Sequence, residues 1–206
     1  METGGEPGDE AGLGAAQIDV RDADLGKSEL LRARANLLQQ RGAPQGLNID
    51  PHPQILGTRI ARWRDEAACG ATARALARRP ALRDAVVELR GPLGAGKTTF
   101  VRHLLHALGV QGRVKSPTYA VMEPYDLPGG DIRHFDFFRF DDPQEWEDAG
   151  FRDVYASPGL KIAEWPEKAA GLLPLPDLCI TIAIGDEDSR AAVFTAHSAS
   201  GLELLP

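Results

Sequence analysis

At 206 residues, 43% of them apolar, the chain is long enough for one packed domain with an extension, or at most for two small ones. A formal net charge of −7 argues against a general phosphate-backbone binder, although it leaves an indirect role in RNA metabolism open. The two cysteines, Cys69 and Cys179, lie far apart with no CxxC, which argues against a zinc or redox motif, and no run approaches the roughly 18 apolar residues of a membrane span.

Residues 1–55 hold nine acidic against five basic residues and no aromatic. Such a composition buries too little apolar surface to offset ordering entropy, so a low-order extension is expected there. A short charged helix over 28–40 is the exception, with Ser28 as its cap and Leu30, Leu31, Leu37 and Leu38 as apolar contacts. The start, Met1-Glu2-Thr3-Gly4-Gly5, has neither the basic nor the apolar region of a signal peptide, and a cytoplasmic protein is expected. The folded domain is expected over 56–200.

Thr58–Trp63 alternates like a strand. Asp65 suits the cap of a helix running to about Arg79, which Pro80 closes. Ala85–Leu89 reads as a buried strand that ends directly at Gly91. Phe100, Val101, Leu104, Leu105 and Leu108 then recur at helical spacing, with Gly109 as a natural C-cap. The runs Tyr119–Tyr125 and Asp131–Phe140 flank Asp126-Leu127-Pro128-Gly129-Gly130, a hairpin signal. Asp142-Pro143 opens a short helix that Gly150 ends. Strands over Leu160–Glu164, Leu178–Ile184 and Ala191–Thr195 complete the pattern, with a short helix over Pro166–Gly171. Both cysteines sit in apolar surroundings and are expected to be buried, unpaired thiols.

Gly91-Pro92-Leu93-Gly94-Ala95-Gly96-Lys97-Thr98 matches GxxxxGK[ST] at every fixed position, between a buried strand and an amphipathic helix. The glycines admit backbone conformations and close approach that a Cβ obstructs. Consecutive amides then cradle phosphate oxygens, and the helix start adds its positive end. Lys97 is expected at the β- and γ-phosphates, and the Thr98 hydroxyl on Mg²⁺. The nucleotide-binding set from this loop is Gly91, Leu93, Gly94, Ala95, Gly96, Lys97, Thr98 and Thr99. No Asn-Lys pair of a guanine reader occurs, so ATP is favoured over GTP.

Val114-Lys115-Ser116-Pro117-Thr118-Tyr119, His134-Phe135-Asp136-Phe137-Phe138-Arg139 and Glu164-Trp165-Pro166 follow the loop in order. This combination resembles the TsaE family (formerly YjeE), small bacterial ATPases of tRNA threonylcarbamoyladenosine biosynthesis, over roughly residues 58–195. The resemblance implies a P-loop α/β fold, a mostly parallel sheet flanked by antiparallel strands and helices. It implies slow ATP hydrolysis in partnership with TsaB and TsaD, which modify adenosine-37 of tRNAs reading ANN codons, so that tRNA is met only through the complex. By motif, Ser116-Pro117-Thr118 corresponds to a switch-like loop near the γ-phosphate, which adds Thr118 to the nucleotide-binding set. Asp136 corresponds to the acid of HxDxxR and Glu164 to the acid of the EW motif. The chain has Tyr119 where the family usually has Phe, and Phe138 where it usually has Tyr, which removes a hydroxyl. Residues 1–55 have no counterpart in the family domain.

Asp136 shares a strand face with Ile132, His134 and Phe138, where a carboxylate needs a cation or a partner. Either an ion pair with Arg133 or Arg139, or a role in positioning water or metal, meets that need. Glu164 ends an apolar strand, where acids that bind Mg²⁺ tend to lie. The catalytic set is therefore Lys97, Asp136 and Glu164, and the metal set Thr98 and Glu164. His134 reads equally as a half-buried structural histidine. His103 and His106 read as solvated surface, and Thr72, by resemblance, borders the adenine. Two other classes stay open: a small-molecule kinase, and a nucleotide-dependent binding switch without significant turnover.

Overall fold

The computed structural model describes residues 54–117 and 120–206. The helix expected over 28–40, together with Thr118 and Tyr119, lies outside the described residues. Seven strands form one sheet in the order β1-β7-β6-β2-β5-β4-β3. They are β1 (Gly57–Trp63), β2 (Val86–Arg90), β3 (Met122–Leu127), β4 (Gly130–Asp136), β5 (Leu160–Glu164), β6 (Leu178–Ile184) and β7 (Arg190–Ala196). The central four, β6-β2-β5-β4, run parallel, while β7, β1 and β3 are antiparallel to their neighbours. This is the mixed P-loop sheet expected. Among the described residues no helix is long and apolar enough to cross a membrane.

Two helices cover one face. Helix α1 (Glu66–Ala77) begins where Asp65 accepts a hydrogen bond from the Ala68 amide at 2.8 Å, satisfying a donor that the helix itself leaves unpaired. It stops at Arg78, and Pro80 opens a 3₁₀ turn, Pro80–Asp84. Helix α2 (Lys97–Leu108) turns Phe100, Val101, Leu104 and Leu105 into the core, and the Gly109 amide closes it on the Leu105 and His106 carbonyls. Phe100 is fully buried, stacked on Trp63 with centroids 5.4 Å apart and edge-on to Phe194 at 6.4 Å.

A second, aromatic core lies under α3 (Pro143–Asp148) and α4 (Phe151–Ala156), where Phe135, Phe137, Phe140, Trp146, Phe151 and Tyr155 pack together. Helix α4 was not anticipated: Gly150 ends α3 as expected but, at φ 66°, turns the chain directly into a second helix. The strand expected to continue to Phe140 stops at Asp136. Phe137 and Phe140 face this aromatic core instead of alternating across a sheet, and Phe138 is left 37% exposed. The run from Tyr119 becomes a strand only at Met122 among the residues described. Past residue 200 the chain continues in α5 (Ala199–Glu203), with Ser198 capping it at the Gly201 amide.

Cys69 and Cys179 are buried and free, as expected. Burial pushes the Cys69 thiol up to about 12 and the Cys179 thiol to about 11. The thiolate is the reactive species. Both thiols are therefore expected to resist a disulfide reagent at mildly alkaline pH and to react once guanidinium unfolds the chain. Stoichiometric labelling of either thiol in the native protein would show that it is accessible.

Candidate active site

β2 runs through the middle of the sheet and delivers the chain to Gly91, where the backbone turns over the strand's end. Gly91 has φ +136°, and a Cβ there would stand 2.2 Å from the Ile182 carbonyl oxygen of the neighbouring strand. Only glycine fits so close a backbone approach. Gly96, at φ 102°, swings the chain into α2, whose first bond runs from the Phe100 amide to the Gly96 carbonyl at 2.9 Å. The amides of that first turn have no intrahelical acceptor, and the helix dipole adds positive potential. Leu93 stands at the loop's exposed outer edge and Ala95 is buried beneath it.

Lys97 is 5% exposed. Its ammonium donates to the Gly91 carbonyl at 2.7 Å and the Pro92 carbonyl at 2.9 Å, and stands 3.7 Å from the ring centroid of Trp165. Burial pulls it below the ordinary lysine value, with Glu164, Glu167 and Asp136 opposing that shift. Trp165 adopts a left-handed φ of 56°, a conformation that costs a non-glycine residue roughly 1–3 kcal/mol. The same ring meets that of Phe138, with centroids 5.0 Å apart.

The parallel register of β4 and β5 sets Asp136 opposite Glu164 at the carboxyl ends of both strands, beside the loop. Ligands bind at such strand ends in open α/β sheets. Glu164 is 1% exposed. Its Oε2 accepts from the Thr98 hydroxyl at 2.8 Å, and its Oε1 from His134 Nε2 at 3.0 Å. The hydroxyl's single hydrogen is committed to the carboxylate, which leaves the lone pairs of Thr98 Oγ1 as acceptors.

Asp136, also buried, accepts the Phe138 amide at 2.9 Å on one oxygen and the Ser116 hydroxyl on the other. That pairing ties the Ser116-Pro117 segment to the strand ends. The alternative partner Arg133 instead bonds Asp126 at 2.9 Å and Asp131 at 3.2 Å.

Lys97, Thr98, Asp136, Glu164 and Ser116 are thus joined through the loop and the adjoining strand ends, and Thr99 lies half-buried in the first turn of α2. Thr118 lies outside the described residues. Thr72 is not drawn into this network: it is buried, its hydroxyl accepting from Trp63 Nε1 at 2.9 Å and donating to the Ala68 carbonyl at 3.2 Å. His103, half-buried against α1 where it was expected to be solvated, bonds Glu66, while the exposed His106 bonds the Gly112 carbonyl.

Two residues gain importance only in three dimensions. His134, completely buried, bonds the Glu164 carboxylate. Arg190, at the start of β7, donates from Nε to the Ala95 carbonyl at 3.2 Å and from Nη1 to the Asp188 and Ser189 carbonyls, pinning the loop to the β6–β7 turn. A lone arginine 95 positions from its partner carries no sequence pattern.

A family profile described as threonylcarbamoyl adenosine biosynthesis protein TsaE matches residues 63–192. The tRNA threonylcarbamoyladenosine biosynthesis protein TsaE of Haemophilus influenzae is 42% identical over 120 residues, covering 58% of this chain and 75% of that protein. Its counterpart from Bacillus subtilis is 35% identical over 111 residues, 54% of this chain and 69% of its own. The crystal structure of Bacillus subtilis YdiB matches with a TM-score of 0.60 at 24% identity, over 73% of this chain and 93% of that one, which speaks to the fold alone. The profile spans more than half of the chain and takes in the phosphate loop and both strand-end acids: the chain belongs to the TsaE family, on a P-loop ATPase-type fold.

Proposed function

We propose that this chain binds and hydrolyses ATP in the biosynthesis of threonylcarbamoyladenosine at position 37 of tRNAs reading ANN codons, acting with TsaB and TsaD to support repeated turnover. The role in this pathway follows from the family, whose relatives carry it in their names. The observation that carries the ATPase reading is the hydrogen bond from Thr98 to the buried Glu164 at the mouth of the phosphate loop.

Mg²⁺ fits this donor set. Thr98 and Glu164 offer one hydroxyl and one carboxylate side by side, so phosphate and water would fill the other positions. Mg²⁺ is usually bound in that manner, in contrast to a cage built from protein alone. Thr98 and Glu164 would hold it, and when bound it neutralises charge on the β- and γ-phosphates. The loop amides and Lys97 grip the phosphates. Either Asp136, tied to Ser116, or a group of the 116–118 segment would orient the attacking water.

In such a site catalysis is positioning and charge stabilisation, with little covalent work for the protein. In keeping with the slow hydrolysis that the family resemblance implies, turnover is expected to be weak alone and faster with partners bound. Phosphate release by the purified chain is expected to rise on adding TsaB and TsaD, and the chain is expected to restore threonylcarbamoyladenosine to tRNA in cells depleted of their own TsaE. Equal rates with and without the partners would remove the switch. Phosphate transfer to a small acceptor would make the chain a kinase, and restored modification by a variant that cannot hydrolyse ATP would make it a binding switch.

A further inference from the structure

The buried histidine of β4 has a task that its sequence context does not reveal. His134 and Glu164 lie on adjacent parallel strands, but they are not opposite each other. His134 is in register with Ile162, and Glu164 with Asp136. The imidazole therefore reaches diagonally along the sheet to place Nε2 at 3.0 Å from Glu164 Oε1.

Both side chains are closed to solvent, at 0% and 1% exposure. A carboxylate so buried needs hydrogen bonds to replace water. It has two here, and they fall on different oxygens: Oε1 takes the ring nitrogen and Oε2 the Thr98 hydroxyl. With one oxygen held, the carboxylate plane has no freedom to rotate the other away from Thr98. Among the described residues the remaining ring nitrogen, Nδ1, is buried with no hydrogen-bond partner, so the one side-chain hydrogen bond this ring makes there is to Glu164. Leaving a buried polar atom unpaired has a cost, which a packing residue such as leucine would avoid.

We propose that His134 is the positioning residue of the metal site. Its Nε2–H holds Glu164 so that Oε2 keeps the Thr98 hydrogen, and Thr98 then presents its lone pairs to the cation. The inference rests on the functional reading above and adds to it a residue that touches neither nucleotide nor metal. Groups that orient a ligand in this way typically contribute 10–100-fold to metal affinity or activity.

The test compares full-length wild type with H134L, H134Q and H134N. Glutamine carries its amide nitrogen as many bonds from Cβ as Nε2 is, whereas asparagine carries it one bond short. Hydrolysis is titrated with Mg²⁺, and binding of a fluorescent ADP analogue is measured in EDTA and in Mg²⁺. The Mg²⁺ needed for half-maximal hydrolysis is expected to rise about 10–100-fold in H134L and to return to within a few-fold of wild type in H134Q. ADP affinity in EDTA is expected to stay within about twofold of wild type, since the loop is untouched.

In an E164Q background, H134L is expected to add little further loss, because the group it positions has already been altered. A wild-type Mg²⁺ response in H134L, or an H134Q as impaired as H134L with ADP binding intact, would reduce the ring to packing. Should H134L fail to fold, H134Q against H134N decides: equal Mg²⁺ responses overturn the assignment. Should wild type bind ADP more tightly with Mg²⁺ yet hydrolyse nothing, the ATPase reading fails while loss of that Mg²⁺ effect in H134L still decides the role of His134.

Discussion

Lys97→Ala is expected to lower ATP hydrolysis by at least about 10²–10³-fold, the loss typical when one preorganised charge partner of a transition state is removed. The ammonium is buried and held by two carbonyls of its own loop, so its position is fixed before a phosphate arrives. Burial lowers the lysine's proton affinity despite the carboxylates of Glu164, Glu167 and Asp136 nearby, and a phosphate oxygen would further offset that cost. Alanine also leaves the Gly91 and Pro92 carbonyls without their lysine donor and uncovers the Trp165 face. Steady-state phosphate release, corrected for folded fraction by circular dichroism, measures the effect. More than about a tenth of wild-type activity would remove Lys97 from the site. Glu164→Ala is expected to lose hydrolysis as well, because Thr98 and His134 both donate to that carboxylate.

Phe100→Ala is expected to destabilise the fold by roughly 3–5 kcal/mol, the usual cost of truncating a buried aromatic and leaving a cavity. Phe100 is fully buried where α2 meets the sheet, stacked on Trp63 from β1 and edge-on to Phe194 from β7. One ring thus joins the helix that starts at the phosphate loop to both strands at one edge of the sheet. A domain's whole stability is about 5–15 kcal/mol, so this single change consumes a large part of it. The midpoint of urea unfolding reports the loss. A change below about 1 kcal/mol would mean that the neighbouring rings collapse into the space.

Both predictions concern α2, the element most legible in the sequence. The period of Phe100, Val101, Leu104 and Leu105 names its buried face, and the glycine before Lys97 and the one after Leu108 mark its ends. The parallel strands are legible for a similar reason: β2, β5 and β6 are short apolar runs, as strands covered on both faces require. The stop of β4 at Asp136 is a different case. Phe137 and Phe140 extend an apolar run, but the aromatic core beneath α3 and α4 takes up both rings in place of a longer strand. Local periodicity does not report that competition. Helix α4 was missed because Gly150 reads as a stop, whereas its left-handed backbone serves as a corner between two helices.

The class of fold was implied by resemblance to a family; by itself the sequence determined the phosphate loop, the acids at the strand ends and the burial of both cysteines. Each of these depends on residues adjacent in the chain or on a short period, which local chemistry expresses directly. Tertiary structure alone decided which side chains complete the site. The diagonal reach of His134 to Glu164, the tie from Ser116 to Asp136 and the clamp of Arg190 on Ala95 join residues 30, 20 and 95 positions apart. Strand order and register create those neighbours, and both are set by packing across the whole sheet, which no local pattern encodes.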